Sequence, residues 1–184
     1  MMIGRHAICF VVIAALALFA SHAPGRAGSA GEINAGVRAT LDNMYYTIPG
    51  SRSLGARAAG ILVFPTIVKA GIGIGGEYGE GALRIGGKTA GYYNSVAASV
   101  GLQLGAQARS VVIMFMTPDA MTSFQRVDGW KVGVEGSITI ITVGAGGSVD
   151  SSRVSSPVVG FIFDNKGLMY NLTLEGAKIS RIYR

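Results

Sequence analysis

Between Lys69 and Gly76 the chain reads K-A-G-I-G-I-G-G, a strict alternation of glycine and isoleucine. Successive residues of an extended strand point to opposite faces, so one face of this strand carries no side chains. Glycine weakens a strand interior and is kept there where another backbone packs very close. The feature therefore calls for a small, tightly curved barrel or for a sheet lying directly beneath a helix. Glycine is abundant overall, 28 of 184 residues, about twice the usual share. With only 5 prolines and no Gly-X-Y period, collagen and low-complexity linker are both excluded. An apolar content of 49%, 14% charged residues and a mean hydropathy of +0.44 describe one ordinary domain able to bury a core.

The first thirty residues read as an export signal. Arg5 supplies the positive start, Ala7 to Ala20 (AICFVVIAALALFA) is unbroken apolar sequence, and Ser21 to Ala30 (SHAPGRAGSA) is small and polar. The apolar run is too short to span hydrocarbon, which needs about 20 residues. Cleavage after Ala23, Ala27 or Ala30 fits the small residues, and Pro24 after Ala23 favours the later two. Cys9 lies inside the apolar run, which argues against lipidation. The domain plan is thus a signal peptide over 1–30 and a single exported domain over 31–184.

Removing that leader changes what chemistry is available. Cys9, His6 and His22 are the chain's only cysteine and histidines, so residues 31–184 contain neither type. Serine-histidine and cysteine-histidine nucleophile systems are excluded, and so are zinc sites built on imidazole or thiolate. No cofactor is implied. Arg5 and Arg26 leave with the leader and no acid does, so 16 basic and 10 acidic residues become 14 and 10, a net charge of +4. The basic residues are scattered, which argues against nucleic acid and suits an anionic lipid surface better.

Along the remaining chain the apolar residues first recur at Ile33, Val37, Leu41, Met44, Tyr45 and Ile48, the spacing of an amphipathic helix. It either covers a sheet or lies on a membrane with Tyr45 and Tyr46 at the interface. A second short helix, Arg52 to Ala59, follows with Ser51 as its cap. After Gly60 the period changes to that of strands: Ile61 to Phe64, Lys69 to Gly76, Glu80 to Gly87, Ala90 to Asn94, Val96 to Gly105 and Arg109 to Met116. Thr117-Pro118-Asp119 starts a third helix, ending at Arg126. Trp130 to Glu135, Ser137 to Val143, Val158 to Asp164 and Leu168 to Leu174 read as strands, the last two joined by a hairpin at Asn165-Lys166-Gly167. Glu175 to Arg184 is a short helix or a last strand. The fold class is α+β: a strongly curved or closed, barrel-like antiparallel sheet of eight or nine strands, with N-terminal helices and one inserted short helix.

Glu77 and Glu80 form the one closely spaced acid pair. In extended structure they point to opposite faces, and the flanking glycines suggest a turn whose acids face solvent or pair with Lys69, Arg84 or Lys88; a catalytic or cation site is the alternative. Gly71, Gly73 and Gly76 satisfy G-x-G-x-x-G, but no helix follows to hold a pyrophosphate. Asn171-Leu172-Thr173 is a weak glycosylation match. Tyr92-Tyr93 and Trp130-Lys131 either fill the core or form an interface belt beside Lys88 and Lys131.

Several motifs in one order carry a family resemblance. F-P-T-I-V-K-A-G from Phe64, G-G-E-Y-G-E-G from Gly75, G-Y-Y-N from Gly91, G-L-Q-L-G-A-Q from Gly101, F-M-T from Phe115, G-W-K-V-G from Gly129, P-V-V-G-F-I-F-D-N-K-G-L from Pro157 and L-E-G from Leu174 resemble the SYLF (Ysc84-like) domain. The resemblance spans about residues 32 to 182. It implies a non-enzymatic lipid-associated module, since eukaryotic members bind phosphoinositide membranes and the yeast branch binds and bundles actin. The likeness is to the bacterial, exported single-domain members, which implies a periplasmic location where no actin is met, so the implied partner is anionic phospholipid or another phosphate-bearing lipid, with an envelope protein as the alternative. The expected lipid-binding residues are Lys69, which lies in a matching motif, Arg84 and Lys88 by proximity to it, and Arg38, Tyr45 and Tyr46 on the first helix.

Overall fold

The computed structural model describes residues 27–135, 138–142, 149, 155–167 and 176–184, with the side chains of 99–104 excepted. Most of the expected leader, the expected Leu168 to Leu174 strand and the Asn171 glycosylation match lie outside them.

The first helix, α1, runs Ala30–Thr47. Its start is fixed by a reciprocal cap: the Glu32 N–H donates to Ser29 Oγ at 3.3 Å and the Ser29 N–H donates to Glu32 Oε2 at 2.7 Å. Ser29→Ala should therefore cost about 1 kcal/mol, seen as a melting temperature lower by about 2–4 °C. The second helix, α2 (Ser51–Arg57), begins differently from the expectation. Gly50 is its N-cap, at φ 89°, and Ser51 is buried, its hydroxyl donating to the Met44 and Ile48 carbonyls at 3.1 and 2.6 Å. The hydroxyl ties the two helices together and leaves capping to the glycine.

Two long strands replace the six short ones read from the sequence. β1 spans Gly60–Ile85 and β2 spans Lys88–Phe115, paired antiparallel along their whole length. They are joined by Gly86-Gly87, both at positive φ (56° and 77°), the requirement of a tight two-residue hairpin. Register shifts at Phe64/Ile67, Ile72/Ile74 and Leu83/Arg84 mark where the ladder is interrupted without ending. Thus Pro65 introduces an irregularity rather than closing a strand.

The remaining elements are α3 (Pro118–Arg126), β3 (Trp130–Lys131), β4 (Ile138–Thr142), β5 (Val158–Gly167) and β6 (Lys178–Ile182). α3 starts as expected, with Thr117 Oγ1 accepting from the Ala120 N–H at 3.2 Å and Pro118 at the first position. The sheet order among the described residues is β3-β6-β2-β5-β4, with β1 on the other side of β2. β2 is its spine, taking β6 along Tyr92–Val96 and β5 along Gln107–Phe115. Among the described residues the sheet has six strands, because the short ones read from the sequence merge. One pairing is also not antiparallel: β4 runs parallel to β5. Asn165-Lys166-Gly167 belongs to β5, where Lys166 and Gly167 still pair with Ala108 and Gln107. The final segment is a strand, β6.

The sheet is strongly curved, and β1 shows how. Val63 and Gly81 are 18 residues apart, which in a straight strand means about 60 Å. Yet a Cβ on Gly81 would overlap the Val63 carbonyl, and one on Gly79 would come within 2.7 Å of the Thr66 oxygen. The strand turns back on itself, and Gly79 and Gly81 are where its two limbs touch. The bend lies at the glycine-isoleucine alternation: Gly73 has φ 71°, and a Cβ on Gly71 would sit 2.6 Å from the Ile74 oxygen. The bare face therefore meets the strand's own backbone rather than a helix, and at Gly73 it meets nothing within 4 Å. The intervening isoleucines stand free, Ile72 76% and Ile74 72% exposed.

This curled sheet separates two cores. On one face α1 and α2 lay Ile33, Val37, Leu41, Met44 and Leu54 against Val63, Val112, Met114 and Phe161. The apolar side of α1 is thus occupied by the sheet, and the membrane-lying alternative for it does not hold. On the other face Leu62, Phe64, Val111, Ile113 and Phe115 pack with Met121, Phe124 and Trp130. Phe124 lies 4.8 Å from Phe115, 5.1 Å from Tyr93 and 5.6 Å from Trp130, ring centre to ring centre. Tyr93 and Trp130 are core residues, which removes them from any interface belt. Coverage on both faces explains why Val111 to Phe115 is apolar without alternation.

Candidate functional site

Where α1, α2 and the β1–β2 hairpin meet, Leu41, Ala56, Ala58 and Ile61 line an open cavity of about 460 Å³. Tyr45, Arg52 and Arg84 supply its polar groups. Tyr45 is brought in by the helical phase of α1, and Gly55 on α2 leaves room for it: a Cβ there would lie 3.0 Å from Tyr45 Cζ. The Arg52 guanidinium sits over the Tyr45 ring, 4.9 Å from its centre, an arrangement that holds a cation on an aromatic face. Arg84 comes from the last turn of β1 and donates from Nη2 to the Gly87 carbonyl, so the hairpin itself orients it. Burial pushes the Tyr45 phenol up, against the pull of the Arg52 and Arg84 charges, which keeps the hydroxyl protonated as a donor at neutral pH. Two planar guanidiniums and a phenol above an apolar floor suit a phosphate or carboxylate attached to something apolar.

The second constellation is buried. Lys69, Glu77, Gln107 and Arg109 all lie inside the curl, between 2% and 7% exposed. Arg109 Nη2 donates to Glu77 Oε2 at 2.7 Å, joining the far limb of β1 to β2 beside its near limb. Burial pushes the Glu77 carboxyl up, opposed by the charges of Arg109 and Lys69 and by the hydrogen bond from Arg109. Glu77 Oε1 and Gln107 Oε1 are buried without a hydrogen-bond partner among the described residues. Enclosed by the two limbs of the sheet, this cluster holds the curl together and is out of reach of a membrane.

Glu80 faces the other way, as strand alternation requires. Its carboxylate accepts from the Gly28 N–H at 3.0 Å, from the Tyr78 hydroxyl at 2.6 Å and from Arg184 Nη2 at 2.5 Å. Burial would raise it, but the Tyr78, Gly28 and Arg184 hydrogen bonds together hold it below the usual carboxylate range. Neither acid lies in a solvent-facing turn, since both belong to β1. Their separation onto opposite faces also keeps them from acting as a pair.

The expected lipid-binding residues are thus divided. Tyr45 and Arg84 meet in the cavity, and Lys88 is exposed just past the hairpin, paired with Ile85. Arg38 and Tyr46 are exposed on α1, Tyr46 to 89%, but do not line the cavity. Lys69 is 5% exposed, in the middle of β1 and inside the curl, and cannot form a surface patch with Arg84 and Lys88. The sequence reading missed Arg52, whose signal was available: it lies seven residues past Tyr45, in the first turn of the next helix. It also missed Gly86-Gly87, an ordinary hairpin signature.

Among the described residues no helix is long and apolar enough to cross a membrane. No curated protein matches the chain. Residues 96–182, covering most of β2 and everything through β6, match the Ysc84 family model, described as Las17-binding protein actin regulator. That stretch contains the motifs G-L-Q-L-G-A-Q, F-M-T, G-W-K-V-G and P-V-V-G-F-I-F-D-N-K-G-L. Over residues 96–182 the chain is similar to the Ysc84 family, the SYLF domain that its motifs resemble.

Proposed function

We propose that this protein is a non-enzymatic lipid-binding module of the bacterial envelope, exported by its leader and associating peripherally with anionic phospholipid or other phosphate-bearing headgroups. The observation that carries the reading is the convergence of Arg52, Arg84 and the Tyr45 hydroxyl over an apolar floor. A phosphodiester offers both guanidiniums acceptor oxygens in the planar geometry they prefer, while the adjoining acyl or glycerol carbons rest on Leu41, Ala56 and Ile61. The likeness of residues 96–182 to a family of binding domains agrees with it.

The test is vesicle flotation of the processed protein. Arg and Lys near an anionic membrane surface contribute about 1 kcal/mol each, so Arg52→Ala with Arg84→Ala should weaken binding to phosphatidylglycerol-containing vesicles roughly 30-fold. Binding should also fall as salt is raised, because the Debye length shrinks to about 8 Å at physiological ionic strength. Equal recovery with neutral and anionic vesicles at low salt would sink the reading.

A second reading, an envelope interaction module that binds another protein, is favoured by the exposure of Ile72 and Ile74 at the bend. Replacing both with Asn separates the two. Loss of a crosslinked envelope partner with unchanged flotation supports a protein partner, and intact crosslinking counts against it.

A further inference from the structure

The position of Gly28 bears on where the leader is removed. Its backbone nitrogen lies 3.0 Å from Glu80 Oε2, 52 residues away, and the Glu80 side chain is only 10% exposed. The other carboxylate oxygen is taken by Arg184 and the Tyr78 hydroxyl. Gly28 is also packed: a Cβ there would come within 3.2 Å of Ile33 Cγ1 and 3.4 Å of Glu80 Oε2. Immediately after it, Ser29 and Glu32 form the cap that starts α1. Glu32 is the second carboxylate on this side, accepting from the Ser29 N–H.

The three small-residue bonds differ sharply in what they would leave behind. Cutting after Ala30 removes Ser29 and so destroys the cap, and it removes Gly28 from Glu80. Cutting after Ala23 leaves Pro24 first and four residues ahead of the docked nitrogen. Cutting after Ala27 leaves the cap whole and makes the docked nitrogen itself the terminus.

We infer that the Ala27–Gly28 bond is the leader-processing site and that the α-ammonium it creates is held by Glu80. The reaction is hydrolysis by an envelope peptidase: water delivers its hydroxyl to the Ala27 carbonyl carbon and a proton to the Gly28 nitrogen. The amine then takes a second proton from solvent. What was a neutral N–H donor becomes a charged one on Glu80 from β1, with the Arg184 guanidinium and the Tyr78 phenol on the far oxygen and the Glu32 carboxylate one residue on, at the Ser29 N–H. Charge-assisted hydrogen bonds of this kind are roughly twice as strong as neutral ones. Removing the leader thus tightens the contact that joins the start of α1 to β1 and to the strand end at Arg184.

The inference rests on the export part of the proposed function, and the experiment separates the two. The full chain is expressed in an export-competent bacterium, and the intact mass of the envelope-fraction protein is measured. A mass beginning at Gly28 is expected. A processed protein beginning at Pro24, Gly31 or elsewhere overturns this inference alone; a chain that keeps its leader and stays in the cytoplasm overturns the export reading with it. A second measurement reads the pairing. The processed protein is ¹³C-methylated on its amines, and the terminal amine is followed by NMR across pH. It should titrate above the ordinary α-amine range of about 8, and Glu80→Gln should return it to that range. An amine that titrates ordinarily in the unaltered protein overturns the ammonium–Glu80 contact, whether or not Glu80→Gln folds well.

Discussion

Arg109→Ala lowers stability by about 3–5 kcal/mol, the usual result of removing one partner of a buried ion pair, and the melting temperature falls by roughly 10 °C or more. The reason is local. Arg109 is 2% exposed and donates to Glu77 across the interior of the curl, so the substitution leaves a cavity and a carboxyl without its strongest partner. Glu77→Gln should be milder, because glutamine keeps an acceptor for Arg109 and matches the protonated carboxyl in shape. Its pH dependence follows from the direction of the Glu77 shift. Burial raises that carboxyl above its ordinary 4.5, so the stability it contributes is full below about 4.5 and is lost as pH rises through the raised value. The deficit of Glu77→Gln relative to the unaltered protein therefore narrows as pH rises above 4.5. A deficit that widens would mean that Arg109 and Lys69 outweigh burial.

Gly81→Ala is the second large effect. A Cβ at Gly81 overlaps the Val63 carbonyl and comes within 2.8 Å of Phe64 Cδ1. One obstacle is backbone held in the β1–β2 ladder, so it cannot rotate away as a side chain would. The cost should reach the upper end of overpacking, about 3 kcal/mol, and show as an early, broadened thermal transition. Gly76→Ala is the control. It lies in the same strand, its Cβ would meet nothing within 4 Å, and replacing glycine at such a site changes stability by no more than about 1 kcal/mol, in the favourable direction. If both substitutions behave alike, the two limbs of β1 do not touch at Gly81.

The local signals were legible in the sequence. The spacing of Ile33, Val37, Leu41 and Met44 marked α1, and Thr117-Pro118 marked the start of α3 to the residue. The glycine-isoleucine alternation pointed to tight curvature. Other features were not legible, for physical reasons. Bulges at Pro65 and Gly73 look in sequence like strand ends, since proline and glycine punctuate both, and only continued pairing across them shows β1 to be one strand. The parallel β4–β5 pair left no composition signal, because Ile138 to Thr142 reads the same in either direction. Lys69 looked like a surface cation because lysine usually is one; what buries it is the approach of Glu77 from a limb of the same strand eight residues on.

The same division runs through the candidate site. Tyr45 and Arg84 could be named from the chain alone, but their meeting with Arg52 depends on α2 docking beside α1 over the hairpin. By itself the sequence determined residue chemistry and periodicity: a chain with neither cysteine nor histidine after His22, helices early, a glycine-rich curved sheet, and family motifs in order. Only the tertiary structure decided which charges are buried and which converge, because those depend on how far β1 curls back. That curl is set by contacts between residues up to 18 positions apart, which no local pattern encodes.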